Sequence, residues 1–444
     1  MSLYRQRVTR WSKWLHADPD PVTKPPSTML RIVLTVFLPF ASGYYLSYFF
    51  RSVNAVIAPD LIEDMSLSAS DLGLMTAAYF LTFAAFQIPL GILLDRFGPV
   101  KVQAALFATA ALGAFVFATG DSKTTLFVGR AFIGLGVSGG LMASFKAIVL
   151  WFPRDRLPLV NGLFMSFGGL GALSATAPVE LALGVTDWRG VYTGIGFATV
   201  AVALIIFFIC PEKPEAKTSG SIADQIKGLK NIYRDRLFWR VAPLTFTAAS
   251  AGMAMQTLWI GPWLKDVAGM PAAPAANHMF LVAFAMFIGM AAMGVVPDVA
   301  FRKWKIRPQT VIIAGNALFL LTQFGIIYGG IETSLNMWLL FGFLSNYSAI
   351  AFAVLSQHFP TKKSAAANTG LNVFVFEMAF AFQYGIGIVI NQFPVSGDNI
   401  YPPDAYQTAF LIVAVIQIVA IAWYFISPRL LPERAYQTEE MSNR

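Results

Sequence analysis

Apolar stretches long enough to cross a bilayer recur along almost the whole chain. They lie at approximately 32–60, 72–94, 100–119, 125–151, 159–183 and 190–210, then at 239–264, 277–297, 309–329, 335–358, 366–392 and 407–427. A helix needs roughly 20 predominantly apolar residues to cross the hydrocarbon core. Within that core every backbone N–H and C=O must be satisfied inside the segment, so runs of this length read as helices. The spacing predicts an all-α membrane protein with 12 transmembrane helices. Composition agrees: 56% of the 444 residues are hydrophobic and 13% are charged, against about 25% charged in soluble domains.

The net charge of +8 is spread along the chain in a pattern. With the N-terminus in the cytoplasm, 26 of the 32 Lys and Arg fall on the cytoplasmic side: in the first tail, after helices 2, 4, 8 and 10, between helices 6 and 7, and at the C-terminal end. Lys123, Arg189 and Lys265 fall on the opposite face, and Arg51, Arg130 and Lys146 lie within helices. This is the positive-inside asymmetry, and it predicts both termini cytoplasmic in a multi-pass protein of a bacterial inner (plasma) membrane. No basic run carries the interleaved aromatics or motif of a nucleic-acid binder. The first 25 residues hold no apolar core of a cleavable signal. Residues 4–15 fit a basic, Trp-bearing segment on the lipid surface or a disordered tail. Cys210 is the sole cysteine, which excludes an intramolecular disulfide and a cysteine metal cluster. His16, His278 and His358 are scattered without ligand spacing, so no metal and no cofactor are expected. No nucleophile–base pair or phosphate loop is present, and the chain does not read as an enzyme.

A polar insert, "PEKPEAKTSGSIADQIKGLKNIYRDRLFWR" (211–240), divides the helices into six and six. The expected organisation is a tail (1–30), a first six-helix half (31–210), a cytoplasmic central loop (211–238), a second half (239–428) and a closing tail (429–444). The halves echo each other. "GILLDRFGPVK" from Gly91 is matched by "GVVPDVAFRKWK" from Gly294, with Asp95 and Asp298 each at the fifth position. "FPRDRLPLVNG" and "FPTKKSAAANTG" place Asn161 and Asn368 at the same offset of 207 residues. Duplicated halves are the sequence mark of a transporter whose site lies between the repeats.

"GILLDRFG" followed by Lys101 resembles the loop signature of the major facilitator superfamily: Gly, three residues, Asp-Arg, one residue, Gly, then basic residues. "GRAFIGLG" (129–136) is similar to that superfamily's helix-4 motif in Arg130 and Gly134, and "TDWRG" (186–190) before helix 6 also matches. The resemblance implies two pseudo-symmetric six-helix halves working by alternating access, as a monomer. It implies gating roles for Asp95, Arg96 and Arg130; a solvated tight turn is the alternative for the Asp-Arg pair.

Arg51 stands within "YYLSYFFRSVNAVIAPDL" (44–61), roughly 7.5 Å from the middle of the first span at 1.5 Å per residue. A charge at the centre of a spanning helix costs about 2.5–3.5 kcal/mol on insertion scales, so such a residue is a site candidate by default. Helical spacing puts Tyr44, Tyr48, Arg51 and Ala55 on one stripe with Asn54 at its edge. That stripe suits the wall of an aqueous cavity; an Arg satisfied inside a packed bundle is the competing account. The segment resembles helix 1 of the organic anion and organophosphate symporters and antiporters, where the arginine binds the substrate carboxylate or phosphate. The second arginine of sugar-phosphate carriers is missing from helix 7, where Gln256 is the strongly polar candidate. One guanidinium makes one bidentate pair, which fits a single carboxylate better than a dianionic phosphate.

Because helices 1, 4, 7 and 10 line the cavity in this superfamily, Trp259, Asn346 and Tyr347 join Gln256 as candidates from the second half. Lys146 is a further substrate-binding candidate, with snorkelling to the cytoplasm as its alternative. Glu377 lies about 12 residues into helix 11, roughly 18 Å deep, where it suits a proton carrier or a paired structural acid. The sequence thus reads as a proton-coupled symporter for a small organic anion, with protons and the lipid bilayer as its other partners. Two alternatives remain: an efflux carrier for amphipathic compounds, and a non-transporting sensor of the same fold.

Overall fold

A computed structural model of the chain describes residues 26–153, 156–213, 229–306, 308–359, 361–396 and 400–430. The expected surface segment 4–15, most of the central loop, the closing tail and the side chain of Asp298 lie outside the described residues. The first half runs α1 (Pro26–Ile32), α2 (Leu38–Ser52), α3 (Asn54–Met65), α4 (Ala69–Phe97), α5 (Pro99–Ala118), α6 (Lys123–Val137), α7 (Met142–Trp151), α8 (Leu157–Ser174), α9 (Ala177–Leu183) and α10 (Trp188–Ile209). The second runs α11 (Arg236–Ala254), α12 (Ile260–Asp266), α13 (Ala272–Trp304), α14 (Pro308–Tyr328), α15 (Ile331–Leu344), α16 (Ile350–His358), α17 (Thr361–Ile390) and α18 (Pro403–Leu430). Among the described residues nine helices are long and apolar enough to span a membrane, or ten if α8 and α9, bent by 41°, form one span. The other two apolar runs, 239–264 and 335–358, are helical but interrupted.

Polar caps set the helix starts. Ser68 and Asp71 form a reciprocal capping box that satisfies two first-turn N–H groups and starts α4 three residues before its apolar run. Asp187 caps α10 and Asp235 caps α11 by accepting one backbone N–H each, from Gly190 and Phe238. The "TDWRG" segment does more than cap. Trp188 donates to Asp64 at 3.1 Å and Arg189 pairs with the same carboxylate, tying the end of α3 to the start of α10. The Arg189 hydrogen bond holds the Asp64 carboxyl below its ordinary range.

Besides the α8–α9 bend, four spans break in mid-course. The break at Val53 separates α2 from α3, and a turn at 138–141 separates α6 from α7. A π-helical turn, Met255–Trp259, links α11 to α12, and a 3-10 turn, Tyr347–Ala349, precedes α16. These are the first and fourth spans of each repeat.

The two halves meet on the side opposite the chain's entry at α1, here called the far side. Ala69 N–H donates to the Tyr401 hydroxyl at 3.1 Å. A Cβ built on Gly73 would stand 2.9 Å from the Gln383 carbonyl, and one on Gly387 would overlap the Ala69 carbonyl. Pro59 deprives the Ala55 carbonyl of its helical donor, and the bare backbone of Gly261 packs against that oxygen. The α4–α17 and α8–α13 contacts between the halves reach the middle of the spans, where Phe83 stacks on Phe376 and Gly169 meets Phe287; toward the near-side ends Leu159, Leu163, Val295 and Val296 are exposed. The fold is closed on the far side and parted on the near side.

Replacing Gly261 by Val places a branched side chain against the Ala55 carbonyl and is expected to cost about 1–3 kcal/mol. The melting temperature in detergent should fall, whereas Gly194→Ala, where no atom lies within 4 Å of the added carbon, should leave it unchanged.

Candidate substrate site

Arg51 sits two residues before the break between α2 and α3 and is only 7% exposed. Rings surround its guanidinium: Tyr48 at 4.6 Å, Phe376 at 5.3 Å, Phe83 at 5.8 Å and Tyr79 at 5.9 Å from ring centroid to the guanidinium carbon. Its Nε–H has no hydrogen-bond partner, and among the described residues no carboxylate lies within ion-pair distance. A second guanidinium, that of Arg130, stands 5.3 Å from the Tyr79 ring. Two buried positive charges therefore flank one ring without a described counter-ion. Aromatic faces offset part of that cost, by about 2 kcal/mol for a desolvated contact, but an unpaired buried ion costs several. The arrangement suits an anion.

Along the Arg51 stripe, Tyr44 stacks on Phe164 at 4.6 Å and its hydroxyl lies 3.4 Å from that of Tyr48. Tyr48 is half-buried beside the guanidinium, so the structure brings these two tyrosines and Arg51 together. Asn54 is drawn into another task. It is fully buried, donates to Thr76 at 3.0 Å and accepts from Tyr192 at 2.6 Å. Arg130 donates to that same Tyr192 hydroxyl at 3.1 Å and to the Phe50 carbonyl at 2.9 Å. Both residues stitch the spans of the first half to one another; neither reaches the second half.

The second half contributes less than the sequence suggests. Gln256, on the π-helical turn, donates to the Met286 sulfur at 3.3 Å. Asn346 is half-buried at the break before α16 and donates to Ser345. Trp259 is 1% exposed and donates to the Gln383 carbonyl at 3.0 Å, which makes it packing on the far side. Tyr347 is also 1% exposed and lies against Gly315 and Phe319 of α14. Of the four, Gln256 and Asn346 keep partly exposed side chains.

Lys146 donates to Asp95 at 2.7 Å and to the Leu94 carbonyl at 2.9 Å, so its ammonium is spent at the near-side end of α4. Asp95 is thereby latched inside its own half, and Arg96 is exposed beside Phe97. Glu377 is exposed, on one stripe with Ala381 and Ile388. Burial, and secondarily the Glu377 charge, push the phenol of Tyr233 up to about 12. The neighbouring Phe376, a turn of about 100° away on the helix, is what faces Arg51. An Arg51–Glu377 pair is not formed in this conformation. Sequence reasoning missed Tyr79, Phe83 and Phe376; the spacing of Tyr79 and Phe83 by four was the available signal.

Two helical halves around a buried guanidinium at a row of broken spans suit a membrane transporter. The sequence matches the Major Facilitator Superfamily profile over residues 40–384, and the chain belongs to that family. A probable sulfoacetate transporter of Cupriavidus necator is 24% identical over 411 residues, covering 87% of this chain and 92% of that protein. A hexuronate transporter of Escherichia coli K12 is 26% identical over 280 residues, 59% of this chain and 64% of that one. A solved bacterial homologue of the human lysosomal transporter Spinster, inward-facing and unoccupied, superposes with a TM-score of 0.73 at 16% identity, covering 92% of this chain and 98% of that one. The family and fold are those of transporters, not enzymes.

If Lys146 serves Asp95 alone, Lys146→Met removes a part-exposed ion pair worth under about 1 kcal/mol. Thermal-shift titrations with carboxylates should then give the same affinities for this variant as for the unaltered protein. A large loss of affinity would return Lys146 to the site.

Proposed function

We propose that the chain is a secondary active transporter that imports a small organic anion, bound through a single carboxylate, across the bacterial inner membrane. In this reading it has 12 spans, both ends are cytoplasmic, and alternating access moves the anion from the far, outer side to the near, cytoplasmic side. The observation that carries the reading is the buried, aromatic-walled guanidinium of Arg51, with its Nε–H unpaired and no described carboxylate beside it. A carboxylate can close on the Nε–H and Nη–H edge as a bidentate, charge-assisted pair. Support comes from the relatives: a hexuronate carries one carboxylate as its sole charge, and sulfoacetate carries one carboxylate beside a sulfonate. The tyrosine hydroxyls of Tyr44 and Tyr48 lie next to the charge and offer donors to a substrate hydroxyl or second anionic group. The near-side placement of Arg96, Lys101 and Arg302 agrees with a cytoplasmic near side.

Hydrogen bonds to charged groups contribute about 1.5–3 kcal/mol each, and Lys cannot reproduce the fork of two. Arg51→Lys should therefore weaken binding of sulfoacetate or glucuronate by at least about tenfold, with normal expression and a normal elution profile. Equal affinities in the two proteins would sink the clamp. A sugar phosphate should bind more weakly than either carboxylate.

Coupling is assigned to protons through Glu377, on the support of its depth in α17 and its closeness to Tyr233. Glu377→Gln should keep anion exchange in proteoliposomes and lose accumulation driven by a pH gradient. Accumulation that survives the substitution places the coupling acid elsewhere.

A further inference from the structure

Three of the four rings around Arg51 belong to its own half: Tyr48 on α2, Tyr79 and Phe83 on α4. The fourth, Phe376, belongs to α17 of the second half. It is 4% exposed and stacks on Phe83 at 4.0 Å with 23° between the planes, and Phe80 lies 6.0 Å away. Further along α17, Gln383 meets Gly73 and Gly387 meets Ala69, again across the halves. Before Phe376 the helix turns to its own half. Phe374 meets Tyr233, Trp239 and Phe246, and the Val375 carbonyl accepts from Ser250 at 2.6 Å. Phe376 thus stands where the joined far side gives way to the parted near side, and it touches the charge at that level.

A guanidinium without a carboxylate is held by ring quadrupoles, and that attraction grows as water is excluded. It depends on net charge. Once an anion closes on the Nε edge, each ring faces a neutral pair and the pull weakens. We propose that Phe376 is the positioning residue through which occupancy of Arg51 is felt by the second half. Its grip on the empty guanidinium holds the near-side-open conformation, and a bound anion releases it. The inference rests on Arg51 as anion clamp. An empty carrier held this way resets slowly, so exchange of anion for anion outruns net transport.

The test labels Phe97→Cys and Phe301→Cys in a Cys210→Ala background; both labelled positions are exposed near-side ends, at 42% and 51%. Energy transfer between the labels in the full-length purified protein reports how far the near side is parted. Without anion, Phe376→Leu should raise the ratio of near-side-closed to near-side-open protein about tenfold, the order expected for one desolvated cation–π contact. Phe376→Tyr, which keeps the ring, should restore the unaltered ratio. Arg51→Met should match Phe376→Leu, and the double variant should add nothing further. Additive effects, or unaltered populations in Phe376→Leu, overturn the proposal while anion binding still stands. Sulfoacetate and glucuronate should shift the unaltered protein toward near-side closure and leave Phe376→Leu unmoved. If neither anion binds the unaltered protein, the clamp falls and this inference with it.

Discussion

A guanidinium buried at the level of broken helices, with rings around it and no described carboxylate beside it, is the constraint on which the rest of the structure depends. Such a charge is tolerable only where water or an anion can reach it part of the time. A permanently sealed site would drive toward a paired acid, and a permanently wet one would lose discrimination. The fold meets both demands by joining its halves on the far side and parting them on the near side. Ala69, Gly73 and Gly387 close the far side with backbone and small residues. Arg51 lies just below that seal.

The breaks at Val53, 138–141, Met255–Trp259 and Tyr347–Ala349 recur at the first and fourth spans of each repeat. A continuous helix satisfies its own backbone and moves as a rod. An interrupted one leaves polar groups unspent and can pivot, which is why discontinuous helices mark the sites of duplicated transporters. Pro59 shows the local chemistry. It frees the Ala55 carbonyl, and Gly261 of the opposite half fills the space beside it. That contact can form or part without breaking a helical hydrogen bond.

The spans were legible in the sequence because lipid leaves few options to a long apolar run. Helix ends were less so: α13 runs from Ala272 to Trp304 where hydropathy marked 277–297, since polarity limits the lipid-facing part but not the helix. Arg51 was legible through its cost. Asn54, Arg130 and Lys146 look alike from the sequence, as polar groups inside spans. Their partners Tyr192, Thr76 and Asp95 come from other spans, so their satisfaction cannot be read locally. Phe376 was hidden by abundance among 39 phenylalanines. Helix phase is what keeps Glu377 from pairing with Arg51 here, because one residue along a helix turns the side chain by about 100° and brings Phe376 to the charge.

The halves divide the work unequally. The first half supplies the charge, the tyrosine hydroxyls and the network that anchors α3, α4, α6 and α10 around it. The second brings a ring to that charge and, farther off, the amides of Gln256 and Asn346. With a second guanidinium on the facing half, a dianion could bridge the halves and hold them together. With a ring there instead, the proposed anion would bind to one half while the cation itself holds the other. Neutralising that cation loosens the join. A carrier built this way would move when loaded because loading weakens the contact between its halves, and the ligand it asks for is one whose carboxylate closes on Arg51 alone.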